Sequence, residues 1–408
     1  MATSGSRRFG LQVFLAAAVV LVTGLLGGCA QKAASPGRTT GPGPSATPVE
    51  RSSSPGGRPS LGLRVVCVGR PAAGAVSAAL AATVPGSTGE ELVPFGVSGD
   101  GRTGYGSAWT SSFAGVAAVD LRTGALHRIM RFGSPQTDQA DGAWGGRWLV
   151  WEQTYSLQSL DRFTVYAWDS TDGVVRRLGG SLESRSGVPW PSPWHAPAVS
   201  GDYAAWAQGF GPGGLVQIRL ADLRTGRSRV VAEGHDQAPF FDGDLVVWPE
   251  SDRPGALTSL HGYSLAGGLS AGDRSTAGLP AVLRSVTGTD FVTTDGTRTA
   301  YFGPGLNTLY YSANPRDVAR AVLRLPAGTE FSALAMGKGV LAWTTTKATF
   351  VASTATGRAV QVTPAYGLAV TGAGSTVLVS DAPTGRSAHP SLPLHVLDVS
   401  SLTLPRRC

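Results

Sequence analysis

Polar side chains suited to recognition or acid–base chemistry recur at equivalent places along this chain. Asp138-Gln139 and Asp236-Gln237 each precede an alanine, and His195 precedes an alanine in a third copy. Carboxylate, amide and imidazole groups can hydrogen-bond a polar ligand or, where a pKa is shifted, transfer a proton. Two interpretations follow. One is a non-catalytic binding site. The other is a polysaccharide hydrolase or lyase in which Asp138, Asp236 or His195 acts as acid or base.

A proline-rich segment supplies aromatic candidates. Residues 188–195 read VPWPSPWH, so that three prolines stiffen the chain around Trp190 and Trp194. These two indole rings could stack on a sugar, a peptide or an aromatic ligand. The alternative is that they pack beneath their own loop. Tyr155, which follows an apolar strand, joins them as a binding candidate.

The sequence offers little support for metal or cofactor chemistry. It contains no His-Glu-x-x-His, no Cys-x-x-Cys and no phosphate loop, and its six histidines lack metal-ligand spacing. We therefore expect no metal, no cofactor and no catalytic residue. A binding role is preferred to an enzymatic one.

Internal repeats explain why the candidate residues are equivalent. An apolar strand that ends in an aromatic residue recurs clearly at 142–152, 197–208, 239–250 and 333–345, and more weakly at 96–110, 293–303 and 370–381. The closing positions are Trp109, Trp151, Trp206, Trp248, Tyr301, Trp343 and Val379. Three of their spacings equal 42 residues. About four short strands per period of this length is the pattern of a propeller blade.

The predicted fold is therefore all-β. We expect a β-propeller of seven four-stranded blades, with six as an alternative, in which each recurring aromatic fills the wedge between adjacent blades. In such a ring the Asp138-Gln139 and Asp236-Gln237 pairs lie just before innermost strands. There they could bind a ligand or bond the backbone of a neighbouring blade. A β-sandwich would also have many short strands, but it does not explain the 42-residue period.

One string resembles a known family. Asp236-Gln-Ala-Pro is followed by a segment, FFDGDLVVW, that closes at Trp248, and residues 195–206 read HAPAVSGDYAAW. These repeats resemble those of bacterial TolB-like surface propellers. The resemblance implies a propeller fold and a binding or scaffold role, and it brings no catalytic residues.

The first 60 residues specify export. Arg7 and Arg8 precede an apolar run that stops at Cys29, as in a signal peptide. Leu26-Gly27-Gly28-Cys29 resembles a bacterial lipobox, which implies a lipid on Cys29; the alternative is a transmembrane anchor. We expect a signal peptide over 1–28, a lipidated flexible linker over 29–60 and a propeller over 61–408. The protein would then be extracytoplasmic and held on the membrane, at the cell surface or in the periplasm.

Composition limits the partners. The chain is 42% hydrophobic and 15% charged, which suits a large folded core. Residues 61–408 carry 28 Lys and Arg against 26 Asp and Glu, so we expect no nucleic-acid binding. The expected ligand is a protein, a peptide or a glycan. A further alternative is an assembly factor of an envelope transport complex.

Two cysteines remain for the folded body. Cys67 and Cys408 lie near its two ends in an oxidising compartment, where pairing is expected. Such a disulfide would tie the two ends of the ring together. Two unpaired thiols are the alternative.

Overall fold

A computed structural model describes most of the body of the chain. The described ranges are 66–69, 80–84, 91–156, 161–193, 196–253, 258–266, 278–289, 291–345, 347–363, 367–371, 374–381 and 394–402. The signal peptide and linker predicted for residues 1–60 lie outside these ranges, as do Cys29, Trp194, His195 and Cys408.

Short β-strands dominate the described residues. The strands are β1 (Cys67–Gly69), β2 (Leu80–Val84), β3 (Glu91–Val97), β4 (Thr103–Trp109), β5 (Ala114–Asp120), β6 (Leu126–Arg131), β7 (Gln139–Trp144), β8 (Trp148–Thr154), β9 (Phe163–Asp169), β10 (Val175–Gly180), β11 (Ala198–Ser200), β12 (Tyr203–Gly211), β13 (Leu215–Asp222), β14 (Arg227–Asp236), β15 (Phe240–Asp242), β16 (Leu245–Ser251), β17 (Ser259–Ser264), β18 (Val292–Thr294), β19 (Thr299–Phe302), β20 (Thr308–Ser312), β21 (Arg320–Arg324), β22 (Phe331–Gly337), β23 (Val340–Thr345), β24 (Thr349–Ser353), β25 (Arg358–Thr363), β26 (Gly367–Thr371), β27 (Thr376–Asp381) and β28 (Leu394–Asp398). A single-turn helix, α1 (Ala281–Arg284), and a 3-10 turn at Pro212–Gly214 accompany them. No helix in the described ranges is long and apolar enough to cross a membrane.

The strands form a β-propeller, as predicted. The first strands of successive repeats contact one another in chain order, from β3 through β7, β11, β15, β18 and β22 to β26, and β26 returns to contact β3. Each first strand starts an antiparallel meander that runs outward from the centre. The ring therefore closes on itself, and the innermost strands line its central channel.

The propeller has fewer four-stranded blades than the seven predicted. Of the six sheets in the described residues, four are four-stranded blades: β3–β6, β7–β10, β18–β21, and β26–β28 with β2. The fifth sheet, β22–β25, gains β1 as a parallel outer strand. The sixth has seven strands, because β14 runs on past its own blade and pairs with β16 through His235 and Asp236.

The two ends of the folded body meet in the ring. β2 pairs antiparallel with β28, so an N-terminal strand completes the last sheet. Cys67 opens β1 on the neighbouring sheet. Its predicted disulfide with Cys408 stays a prediction, since Cys408 is outside the described residues.

The recurring aromatic residues fill the space between sheets, as predicted. Trp151, Trp206, Trp248 and Trp343 lie on second strands and are almost fully buried. Trp206 of β12 packs against Trp148 and Val150 of β8. Gly179 on β10 leaves room for this ring, since a Cβ there would lie 2.7 Å from the Trp206 indole.

Asp-x-x-Thr-Gly turns mark one end of the ring. The Asp120 carboxylate accepts hydrogen bonds from the backbone N–H groups of Arg122 (3.0 Å) and Thr123 (2.7 Å), and Gly124 has a φ of 75°. Asp222 repeats this arrangement. These turns join third to fourth strands, so we call this end the turn end. The connections after second and fourth strands lie at the other end, the cleft end.

Candidate functional site

A cleft opens at the cleft end of the ring, between the sheets β3–β6 and β7–β10. Its volume is about 410 Å³. The residues that line this first cleft are Met130, Arg131, Gly133, Ser134, Asp138, Gln153, Tyr155 and Tyr166. Two of the predicted binding residues, Asp138 and Tyr155, thus come together here.

The Asp138 carboxylate forms hydrogen bonds with residues at the rim of the first cleft. Its Oδ2 accepts hydrogen bonds from the N–H groups of Gly133 (3.0 Å) and Ser134 (3.1 Å) and from Gln153 Nε2 (3.0 Å). The residue is only 4% exposed. The backbone donors belong to the loop that leads into β7, and Gln153 lies on β8 of the same sheet. Most of its hydrogen-bonding capacity is used within the protein.

Other polar groups of the first cleft can still form hydrogen bonds with a ligand. Gln153 Oε1 is buried and has no hydrogen-bond partner in the described part of the chain. The hydroxyls of Tyr155 and Tyr166 lie 3.2 Å apart, so one donates to the other and leaves the second O–H available. Burial raises the pKa of Tyr155 to about 12, which keeps this phenol protonated at neutral pH. The exposed Arg131 guanidinium donates to the carbonyl of Ser112 and borders the cleft.

Sequence reasoning missed Gln153, Tyr166 and Arg131. Gln153 had a usable signal, because Gln208 also stands two residues after a closing Trp. Both glutamines are almost fully buried. Tyr166 and Arg131 had none, since they lie on other strands and only the meander brings them to the cleft.

A second cleft of about 300 Å³ lies at the same end of the ring. The residues that line it are Pro191, Ser192, Pro193, Gly214, Val216, His235, Asp236, Gln237 and Ser251. The predicted residues Asp236 and Gln237 are therefore together here, beside part of the proline-rich segment. Asp236 is the last residue of β14, opposite Glu250, and Gln237 follows it, so both precede the innermost strand β15.

The proline-rich segment is fixed against β12. The Ser192 hydroxyl accepts a hydrogen bond from the Gly209 N–H (2.7 Å). A Cβ on Gly209 would lie 2.0 Å from the Pro191 carbonyl oxygen, so only glycine permits this approach. Trp190 is half-buried, its backbone N–H donates to the Leu182 carbonyl (2.9 Å), and it lines neither cleft. Gln139 also lines neither, because it begins β7 and points to the face opposite Asp138.

A pair of carboxyl groups that sequence reasoning did not select lies on that opposite face. Asp141 of β7 stands directly across the ladder from Glu152 of β8. Burial raises the pKa of Asp141 to about 6, although the N–H of Gly142 bonds its Oδ1 at 2.8 Å. Burial, together with the charge of Asp141, raises the pKa of Glu152 well above its usual range. Glu152 is 2% exposed, and its Oε1 has no hydrogen-bond partner in the described ranges.

Two further observations concern catalysis. Within the described ranges, no three His, Cys, Asp or Glu side chains are grouped so as to hold a metal ion. The string Gly268-Leu-Ser-Ala-Gly272 fits the Gly-x-Ser-x-Gly pattern of serine hydrolases, and sequence reasoning overlooked it. The pattern requires a strand-to-helix turn around the serine. This string lies outside the described residues.

Comparison with known proteins supports the fold alone. No protein-family profile matches the chain, and no curated protein matches its sequence. Among solved structures, an oligogalacturonate lyase from Vibrio parahaemolyticus is 12% identical with a TM-score of 0.53, over 78% of this chain and 93% of that one. A prolyl endopeptidase is 14% identical with a TM-score of 0.51, over 82% of this chain and 50% of that one, so this chain spans half its length.

TolB from Acinetobacter baumannii, the family expected from the repeats, also matches. It is 13% identical over 70% of this chain and 60% of that one, with a TM-score of 0.37. A TM-score this low does not establish a shared fold. At such identities none of the three similarities extends to activity or ligand.

Proposed function

We propose that this chain is a lipid-anchored propeller of the cell envelope that acts as a non-catalytic binding or scaffold module for a protein, a peptide or a glycan. The observation that carries the proposal is the first cleft. There Gln153 Oε1, the Tyr155–Tyr166 hydroxyl pair and the Arg131 guanidinium border an opening of about 410 Å³. Such a set of convergent polar groups beside aromatic rings suits a hydroxyl-rich or peptide ligand.

The arrangement of the carboxyl groups favours binding over catalysis. A glycosidase needs two carboxyls on either side of an accessible sugar, about 5–10 Å apart. Asp138 is bound by backbone N–H groups of its own rim. Asp141 and Glu152 are close together, but they line neither cleft, and Glu152 is almost fully buried. A polysaccharide hydrolase or lyase is the alternative. It would be established if the protein released new reducing ends (hydrolase) or unsaturated products (lyase) from a polysaccharide and D138N did not.

Photo-crosslinking tests the binding role. Tyr155 is replaced by p-benzoylphenylalanine in the full chain, expressed in its own envelope. The matched control places the same residue at Arg122, which is exposed in a turn at the opposite end. We expect a discrete adduct from position 155 and none from position 122, and the Gln153→Ala change should reduce it. Equal adducts at both positions, or none at position 155, would reject the first cleft as the binding site.

Membrane anchoring has its own test. The Cys29→Ser change removes the only sulfur in the lipobox-like string. Loss of fatty-acid labelling and transfer of the protein from the detergent phase to the aqueous phase are expected. A serine variant that keeps its label or stays with the membrane would argue for the transmembrane alternative.

A further inference from the structure

Oxygen-bearing side chains are concentrated on the face of the β7–β10 sheet that lies opposite the first cleft. Asp141 faces Glu152 across the β7–β8 ladder, and Gln139 faces Thr154 two residues further along. Directly opposite residues have Cβ atoms about 4.5–5.5 Å apart, and same-face neighbours on a strand are about 7 Å apart. We call these four residues the carboxylate patch. All four project from one small area of the sheet.

Two oxygen atoms of the carboxylate patch have no hydrogen-bond partner among the described residues. Glu152 Oε1 and Thr154 Oγ1 are buried and accept or donate no hydrogen bond in the described part of the chain. Burial acts on both carboxyls, and Asp141 repels Glu152, while no basic side chain of the described ranges acts on either. Buried charges are normally paired or coordinate a metal, and a buried polar atom without a partner is a common sign of a missing ion.

We propose that the carboxylate patch binds a hard divalent cation, Ca²⁺, through the carboxylates of Asp141 and Glu152, the Thr154 hydroxyl and the Gln139 amide oxygen. Ca²⁺ takes six to eight oxygen ligands at about 2.3–2.6 Å, and water can complete such a set. All four donors are oxygens, which disfavours softer metals. Gln139 and Asp141 are partly exposed on an innermost strand, so the ion reaches the site from the central channel.

The donor set also predicts the affinity. Two carboxylates and two neutral oxygens form a site of low charge, comparable with those of extracellular Ca²⁺ modules. These bind with dissociation constants on the order of 10⁻⁴–10⁻³ M. The site faces away from the first cleft, so its existence does not depend on the proposed binding role.

Calcium titration of the whole protein tests the proposal. The full chain is extracted in detergent, treated with a chelator and titrated with Ca²⁺ at neutral pH while its melting temperature is followed. Tb³⁺ in place of Ca²⁺ provides a second readout. Trp151 adjoins Glu152 in sequence, so its indole can sensitise the luminescence of bound Tb³⁺. We expect both signals to saturate in the range given above, with binding weakened about tenfold or more in D141N and E152Q. E183Q is the matched control, since Glu183 is an exposed glutamate of the loop that follows the same sheet.

Three results would overturn the cation site. One is a wild type without a saturable response to either ion. Another is an E152Q protein that binds Ca²⁺ as tightly as the wild type. The third is a protonated carboxyl band in the infrared spectrum that persists in saturating Ca²⁺ and disappears in E152Q, which would assign a shared proton to the pair. Thr154→Val leaves the charge unchanged and gives a second variant should the carboxyl changes prevent folding; it is expected to weaken binding.

Discussion

The sheet β7–β10 carries carboxyl groups near both of its ends. Those at one end are paired with arginines and, among the described residues, those at the other are not, so their pKa values shift in opposite directions. At the turn end, Asp169 closes β9, and its side chain is fully buried. Arg147 Nε donates to Asp169 Oδ1 at 2.8 Å, and a second contact joins Arg147 Nη2 to Oδ2. The Thr171 N–H adds a further hydrogen bond at 2.9 Å. These donors lower the pKa of Asp169 to about 2.

The aromatic core supports this charge cluster. The guanidinium groups of Arg147 and Arg176 lie 5.0 Å and 5.2 Å from the ring of Trp148. Arg176 also pairs with Asp169 at 3.8 Å. The Asp169 carboxylate is therefore paired by two arginines within the protein, which indicates a structural role.

Asp141 and Glu152, toward the other end of the sheet, have no such support. Among the described residues, the only donor to their side chains is the N–H of Gly142, and the pKa values of both carboxyls are raised instead of lowered. The comparison shows that carboxyl groups in the same sheet can have different partners and opposite pKa shifts. The Asp169 carboxylate has arginine partners inside the fold, whereas the carboxylate pair is where we propose a cation.

The largest effect is expected at the turn end. Asp169→Asn removes the acceptor of a bidentate arginine contact and leaves Arg147 without its partner. We expect a loss of about 2–4 kcal/mol in the free energy of unfolding, measured by urea denaturation at neutral pH. The control is Asp172→Asn, whose exposed i, i+4 pair with Arg176 should contribute about 0.5 kcal/mol or less. Equal effects of the two changes would remove the distinction between a buried and an exposed pair.

An effect of the opposite sign is expected from the carboxylate pair. The folded-state pKa of Asp141 is about 6, above its ordinary value of 3.8, so folding favours its protonated form. That contribution to stability is fully present below about pH 4 and is lost as the pH rises through 6. In chelator, Asp141→Asn removes the charge that Asp141 carries above its pKa of about 6. It should stabilise the protein by about 1–2 kcal/mol at pH 8 and by close to nothing at pH 4.

Urea denaturation across this pH range measures the difference, with Glu183→Gln as the exposed control. The contribution of Asp169 to stability should have the opposite pH dependence, because its pKa is lowered to about 2. Its stabilisation is present above its ordinary pKa and is lost as the pH falls through 2. An Asp141→Asn variant that is less stable than the wild type at pH 8 would contradict an uncompensated charge on Asp141.

The sequence predicted the parts of this picture that repeat. The closing aromatic residues predicted the propeller because they recur at a regular spacing. Asp138 and Tyr155 were selected because every repeat places its strand ends at the same end of the ring. Interactions that occur once were not predictable in this way.

The carboxylate pair shows why. Its two members are joined by the register of one hairpin, in which Gly146 adopts a φ of 84°. A shift of one residue would move every side chain of a strand to the other face. The seven-stranded sheet was missed for a similar reason. The extra pairing of β14 with β16 depends on where two successive blades meet, which neither strand encodes alone.

A smaller effect separates charge from geometry at the turn end. Arg147→Lys keeps the positive charge but loses the planar fork that bonds both Asp169 oxygens and stacks on Trp148. We expect a loss of about 1 kcal/mol in unfolding free energy. Arg224→Lys is a suitable control, because Arg224 is largely exposed at the same end of the ring. A lysine variant as stable as the wild type would mean that charge alone holds Asp169.

The smallest effect on stability is expected from Thr154→Val. The Thr154 hydroxyl is buried without a hydrogen-bond partner in the described residues, so replacing it with a methyl group removes an unsatisfied polar atom at nearly constant volume. In chelator the free energy of unfolding should change by about 0.5 kcal/mol or less, or rise slightly. Thr345 is the matched control, because its hydroxyl accepts the N–H of Ala348 at 3.1 Å, and Thr345→Val should be destabilising by about 1 kcal/mol. If Thr154→Val were as costly as Thr345→Val, its hydroxyl would already have a partner inside the fold, and the carboxylate patch would resemble the cluster around Asp169 after all.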